Sequence, residues 1–183
     1  MKTAKYVLGT PARNEDAFIE KTIRSVIAQT VRPQKWVIVS DNSTDRTDEI
    51  VQKYAQQHAF IELLRKDGDD QRTFSSKVYA FEAGYARLTG IDYDFIGMLD
   101  ADVSFEPDYY ENILQKFAQN DKLGVAGGVR YDLCNGKFVK ILCAKNSVGG
   151  PYQLFRRRCF EQIDGITPIA IGGDDAVADM KQR

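Results

Sequence analysis

Three groups of aspartates have the residue types and spacing to do chemistry. Asp100-Ala101-Asp102 sets two carboxylates one residue apart, directly after the apolar run Phe95-Ile96-Gly97-Met98-Leu99. At a strand end the turning chain can bring such a pair to one small volume. Hard oxygen donors of this kind hold Mg²⁺ or Mn²⁺, ions that offset the charge of a departing diphosphate. The same triplet also suits a solvated turn with acids that cap a helix. Asp41 follows Val37-Ile38-Val39-Ser40 in the same manner. Its carboxylate fits a ribose hydroxyl or a base N–H, and equally a turn or helix cap. Asp174-Asp175 follows Gly172-Gly173. The glycines permit close approach. Neighbouring acids raise one another's pKa, so one could act as a general base on a hydroxyl. First-turn acids of a helix are the plainer reading.

Other reactive types have simpler explanations. Arg156-Arg157-Arg158 could meet phosphates, but a charge run usually marks a solvated face. His58 is the single histidine and closes a surface-type helix, which argues against histidine-based catalysis. Cys134, Cys143 and Cys159 fit no zinc spacing, and three is an odd number for a disulfide framework. A reducing, cytoplasmic setting is expected. Gly124, Gly127 and Gly128 do not form a dinucleotide fingerprint, and no Walker-type loop exists.

The elements that must position the aspartates alternate between strand and helix. Tyr6-Val7-Leu8-Gly9 predicts a buried strand ending at Thr10-Pro11. Asn14 is expected to cap a helix with Ile19, Ile23, Val26 and Ile27 at helical spacing. Trp36-Val37-Ile38-Val39 predicts the second strand. Ile50, Val51, Tyr54 and Ala55 predict the next helix, and Phe60 to Leu64 a third strand. Lys66 to Gln71 is a polar loop. Ser75 to Leu88 predicts a helix with Val78, Phe81, Tyr85 and Leu88 inward, and Phe95 to Leu99 a fourth strand. Pro107 is placed at the first position of a helix buried through Tyr110, Ile113, Leu114 and Phe117. Leu123 to Val129 and Phe138 to Leu142 are further expected strands. This alternation predicts an α/β fold with a mostly parallel central sheet between helical layers. Ligands of such sheets bind beyond the carboxyl ends of the strands, where Thr10-Pro11, Asp41 and Asp100 to Asp102 fall.

The chain has 183 residues, with 43% hydrophobic and 28% charged side chains and a net charge of -1. One domain over 1–183 is expected, with no electrostatic case for nucleic acid. No apolar run is long enough to span a bilayer. The last helix has about two turns when the chain stops at Arg183, so the natural protein is expected to continue.

In order, these segments resemble the family 2 glycosyltransferases, inverting enzymes of the GT-A fold. The likeness runs through Pro11-Ala12-Arg13-Asn14-Glu15, Ile23 to Thr30, Val37 to Asp45, Phe95 to Asp102, Gly150 to Arg157 and Gly172 to Asp175. It implies a Rossmann-like three-layer sandwich with a nucleotide-binding half at about 1–102 and an acceptor-side half at about 103–183. It implies a UDP- or GDP-sugar donor, Mn²⁺ or Mg²⁺, and a glycan, lipid-carrier or small-molecule acceptor. Thr10, Pro11, Arg13 and Glu15 would line the nucleotide pocket, with Asp41 on the base or ribose. Lys77 would help hold the donor, Asp100 would contact the ribose or sugar, and Asp102 would ligate the metal. Asp174 would lie on the substrate side and Asp175 would deprotonate the acceptor. Ser40-Asp41 stands where the family usually has two acids, and Asp174 where a Glu is commoner. The Gln-x-x-Arg-Trp segment of processive synthases is absent, which favours non-processive transfer. Membrane association is expected only peripherally, through a part beyond Arg183. The rival readings are a sugar-nucleotide nucleotidyltransferase and a non-catalytic nucleotide-sugar binding module. The first should carry a glycine-rich loop after strand one, where this chain has Thr10-Pro11-Ala12-Arg13-Asn14.

Overall fold

A computed structural model describes residues 4–66, 74–142, 148–163 and 165. Asp174 and Asp175 lie outside the described residues, as does Cys143. The elements are β1 (Tyr6–Ala12), α1 (Ile19–Ile27), β2 (Lys35–Asp41), α2 (Thr47–Gln57), β3 (Ile61–Lys66), α3 (Phe74–Ala86) and β4 (Phe95–Leu99). They are followed by α4 (Tyr109–Gln119), β5 (Val125–Ala126), β6 (Tyr131–Cys134), β7 (Lys137–Lys140), β8 (Tyr152–Arg156) and α5 (Arg157–Gln162).

Six strands form one sheet in the order β3-β2-β1-β4-β8-β5. The first four are mutually parallel, while β8 runs antiparallel to both β4 and β5. Alternation along each strand sends side chains to two separate cores. Tyr6, Leu8, Trp36, Ile38 and Leu99 meet α1, α2 and α4 on one face. Val7, Val37, Val39, Ile96 and Met98 meet α3 and α5 on the other. The strands are therefore apolar on both sides, as a covered parallel sheet requires.

Helix α3 lies close to the sheet because two glycines leave room for it. A Cβ at Gly9 would stand 2.7 Å from Phe81 Cε2, and one at Gly84 would stand 2.8 Å from Val39 Cγ2. This close seat brings the first turns of α3 to the carboxyl edge of the sheet.

The structure corrects several sequence expectations. Strand β1 continues through Thr10 and Pro11 to Ala12, since β2 offers it ladder partners as far as Ser40. Asn14 does not cap α1, which begins at Ile19. Asn14 instead takes a left-handed backbone with φ 55°, and its side chain ties two loops together. Pro107 precedes α4, which starts at Tyr109. The expected strand at Leu123 to Val129 shrinks to Val125–Ala126. The expected strand at Phe138 to Leu142 becomes β7, paired with β6 in a hairpin outside the main sheet. Arg156 and Arg158 are engaged by backbone carbonyls. Arg156 donates to the carbonyls of Phe117 and Leu123, and Arg158 to that of Asp121. Arg156 also lies over the Phe95 and Phe117 rings. It thus serves the last carbonyls of α4.

Candidate functional site

Parallel strands put the ends of β1, β2 and β4 on one edge. A cleft of about 510 Å³ opens there, lined by Pro11, Ala12, Arg13, Glu15, Asp41, Ser76, Lys77, Ala80, Asp100, Ala101 and Asp102. Seven of the eight described residues expected at the site meet in this cleft; Thr10 is the exception. Thr10 is fully buried, and its Oγ1 accepts a hydrogen bond from the Trp36 indole N–H at 2.9 Å. It is a partner for a buried indole rather than part of the wall.

The walls of the cleft are held by hydrogen bonds between the loops that follow β1 and β2. Asn14 N–H donates to Ser43 Oγ, Glu15 N–H to Thr47 Oγ1, and Asp16 N–H to Asp45 Oδ2. In return Thr44 N–H donates to Asn14 Oδ1 at 2.8 Å. Burial alone would raise the Asp45 pKa. The hydrogen bonds from Thr47 and Asp16 outweigh it and hold the carboxyl below its ordinary value. The carboxylate is therefore a firm acceptor at neutral pH, and the two loops form one unit.

Asp41 and Asp100 are each countered by a lysine. Lys66 Nζ lies 3.2 Å from Asp41 Oδ1, whose side chain is only 7% exposed. Register explains the pair, because Asp41 and Lys66 are direct partners at the ends of β2 and β3. Lys77 Nζ, reaching from α3, lies 2.8 Å from Asp100 Oδ1. The turn after β4 is anchored through its backbone: Asp100 N–H donates to the Pro151 carbonyl, and Thr22 Oγ1 donates to the Ala101 carbonyl. With Ala101 buried, Asp102 stands exposed at the rim. Arg130 is electrostatically coupled to it. The guanidinium is held more firmly charged than usual, first by its hydrogen bond to Asp132 against partial burial, with Tyr152 and Asp102 adding.

Among the described residues, no group of three His, Cys, Asp or Glu side chains converges on a point. The carboxylates of Asp100 and Asp102 are hard oxygen donors, one paired with a lysine and one open to solvent. Such a set fits Mg²⁺ or Mn²⁺ sharing its shell with phosphate oxygens and water, rather than a cage built by protein alone. Lys77 and Arg13 at a cleft with three aspartates suit a ligand that is anionic at one end and rich in hydrogen-bonding groups at the other.

Sequence reading missed Lys66 and Arg130. Lys66 falls in the expected polar loop, although its position at the end of an apolar run makes it the strand neighbour of Asp41. Arg130 has no local sequence signal, since only the fold brings its charge within electrostatic range of Asp102.

Among the described residues, no helix is long and apolar enough to cross a membrane. A profile of the family described as Glycosyl transferase family 2 matches residues 8–173. A chondroitin synthase from Pasteurella multocida (strain Pm70) is 29% identical over 113 residues, covering 62% of this chain and 11% of the synthase. A poly-beta-1,6-N-acetyl-D-glucosamine synthase from Staphylococcus aureus (strain COL) is 28% identical over 115 residues, covering 63% of this chain and 26% of that protein. The match thus spans 11% and 26% of the length of these curated relatives. Among solved structures, mannosyltransferase PcManGT from Pyrobaculum calidifontis, in complex with GDP-Man and Mn²⁺, superposes with a TM-score of 0.72 at 19% identity. The match covers 98% of this chain and 52% of that one. S. aureus TarS 1-349 in complex with UDP-GlcNAc gives 0.68 at 16% identity, covering 97% and 53%. These structural matches establish a shared GT-A fold.

Proposed function

Because the chain belongs to glycosyl transferase family 2, we propose that it carries the catalytic domain of an inverting transferase that moves a sugar from a nucleoside-diphosphate sugar to an acceptor hydroxyl. The observation that supports this most is the gathering of Arg13, Asp41, Lys77, Asp100 and Asp102 around one cleft at the strand ends. Pro11, Arg13 and Glu15 face the nucleotide. Asp41, steadied by Lys66, accepts from the base or ribose. Lys77 holds the diphosphate end, and Asp100 faces the ribose or the sugar. Asp102 ligates a divalent cation, which when bound offsets the charge that develops on the diphosphate.

The acceptor hydroxyl loses its proton to the Asp175 carboxylate, and the adjoining Asp174 is assigned to substrate binding. The oxygen forms its bond to the anomeric carbon as the bond to the diphosphate oxygen breaks. The electron pair leaves with the diphosphate, and the anomeric configuration inverts. GDP-Man and UDP-GlcNAc, bound by the two structural relatives, define the donors to test first. The acceptor class is a glycan, a lipid carrier or a small molecule.

A thermal-shift panel of UDP- and GDP-sugars, with and without Mn²⁺, tests the reading. At a hundredfold excess over Kd a true donor adds about 2.7 kcal/mol, a Tm rise of roughly 5–10 °C for a chain of this size. The rise should require the metal. No rise with any donor would overturn the proposal. Asp175→Asn should leave donor binding intact and remove transfer.

A further inference from the structure

Exposed apolar side chains are concentrated in one place. Of the eight large hydrophobic residues exposed among the described residues, six lie between positions 129 and 142: Val129, Tyr131, Leu133, Phe138, Val139 and Leu142. Phe138 is 75% exposed and Leu142 is 84% exposed. Scattered singly these would need no explanation, but Tyr131, Leu133 and Phe138 on one face of a water-facing hairpin do.

The hairpin arranges them in an ordered way. Asn135 and Gly136 both have positive φ, at 50° and 75°, as a tight two-residue turn between twisted strands requires. Leu133 lies opposite Phe138 and Tyr131 opposite Lys140, so these four side chains share one face. Cationic residues accompany the apolar ones. Arg130 is paired with Asp132 at 2.6 Å. Lys137 and Lys140 are exposed with no further acid between positions 129 and 142, so the segment carries a net positive charge.

An aromatic and aliphatic tip flanked by lysines is complementary to the boundary of an anionic bilayer. There the apolar groups enter the acyl region while the ammonium groups meet lipid phosphates. We propose that the β6–β7 hairpin docks on an anionic lipid surface. Its base is tied toward the end of β4: the Gly128 N–H donates to the Tyr109 hydroxyl, which donates to the carbonyl of Tyr152, the ladder partner of Leu99. Docking would therefore hold the mouth of the cleft near the membrane face, the position suited to a lipid-linked acceptor. The inference goes beyond the donor chemistry proposed above and does not depend on it.

Vesicle co-sedimentation without any nucleotide sugar tests it. The wild-type chain should bind mixed phosphatidylcholine–phosphatidylglycerol vesicles and bind pure phosphatidylcholine vesicles far less. Lys137→Gln with Lys140→Gln should weaken binding to the mixed vesicles by about tenfold or more. Leu133→Glu with Phe138→Glu should abolish it. All four positions are exposed, so an unchanged Tm in both variants checks that folding is intact. Absence of vesicle binding would overturn the proposal, as would binding indifferent to lipid charge and to both variants. Light scattering that shows a dimer, lost in the Leu133→Glu, Phe138→Glu variant, would assign the face to self-association and also overturn it.

Discussion

Lys77→Met removes the ammonium that faces Asp100 while keeping most of the stem that packs along α3. The pair is 2.8 Å apart, with 30% of the lysine and 20% of the aspartate side chain exposed. An exposed pair contributes about 0–1 kcal/mol, whereas removing one partner of a fully buried pair costs about 3–5 kcal/mol. Partial exposure places the loss between these, at about 1–2 kcal/mol. In a chain of this length that lowers Tm by about 2–8 °C. If Lys77 also meets the diphosphate, losing a charge-assisted bond of about 1.5–3 kcal/mol weakens donor binding roughly tenfold to a hundredfold. Differential scanning fluorimetry and titration calorimetry read the two effects separately. A double-mutant cycle with Asp100→Asn isolates the pair and should give a coupling of about 1 kcal/mol. Unchanged Tm and donor affinity, with coupling within about 0.3 kcal/mol of zero, would refute the role of this ion pair.

Thr10→Val leaves the Trp36 indole N–H buried without its acceptor, and should cost about 1–3 kcal/mol while donor affinity stays unchanged. Weakened donor binding at unchanged Tm would instead put Thr10 on the nucleotide. Gly84→Leu drives a side chain into Val39, at an initial Cβ distance of 2.8 Å. It should destabilise by about 1–3 kcal/mol and lift α3, so that donor affinity falls with it. A variant with normal Tm and affinity would contradict the close seating of α3. Asp45→Asn probes the loop unit by pH. The Asp45 carboxyl is held below its ordinary value near 3.8, so its contribution is complete above that pH and is lost as pH falls through the lower, folded value. The Tm gap between wild type and variant should therefore be open at neutral pH and close on acidification below about 4. A gap that does not change with pH would refute this.

What was legible in the sequence follows how local each signal is. Strand β4 matches its predicted limits because five apolar residues end abruptly at two acids. The inward stripe of α4, Tyr110, Ile113, Leu114 and Phe117, is equally local. Most of the cleft was legible because parallel topology converts "after a buried strand" into a single spatial edge. Non-local features were not legible. Thr10 follows an apolar run just as Asp41 does, and nothing in the chain announces that Trp36 would claim it. Strand β8 reads as a run of mixed polarity ending in arginines. It became a central strand because it pairs antiparallel between β4 and β5. Only the second arm of the hairpin, Phe138 to Leu142, reads as a strand in the sequence, although Asn135-Gly136 marks the turn that pairs it with β6. The lysine partners of Asp41 and Asp100 depend on register and on helix seating, which no spacing rule supplies.

In the proposed function, the carboxylates at the strand ends hold a nucleoside diphosphate through a divalent cation. Diffraction from crystals grown with Mn²⁺ and a bound UDP- or GDP-sugar, recorded for anomalous scattering from manganese, tests it most directly. Expected is an anomalous peak in direct contact with an Asp102 carboxylate oxygen, on the order of 2 Å away, beside the donor diphosphate in the cleft. A diphosphate seated elsewhere, or manganese bound away from Asp102, would contradict it.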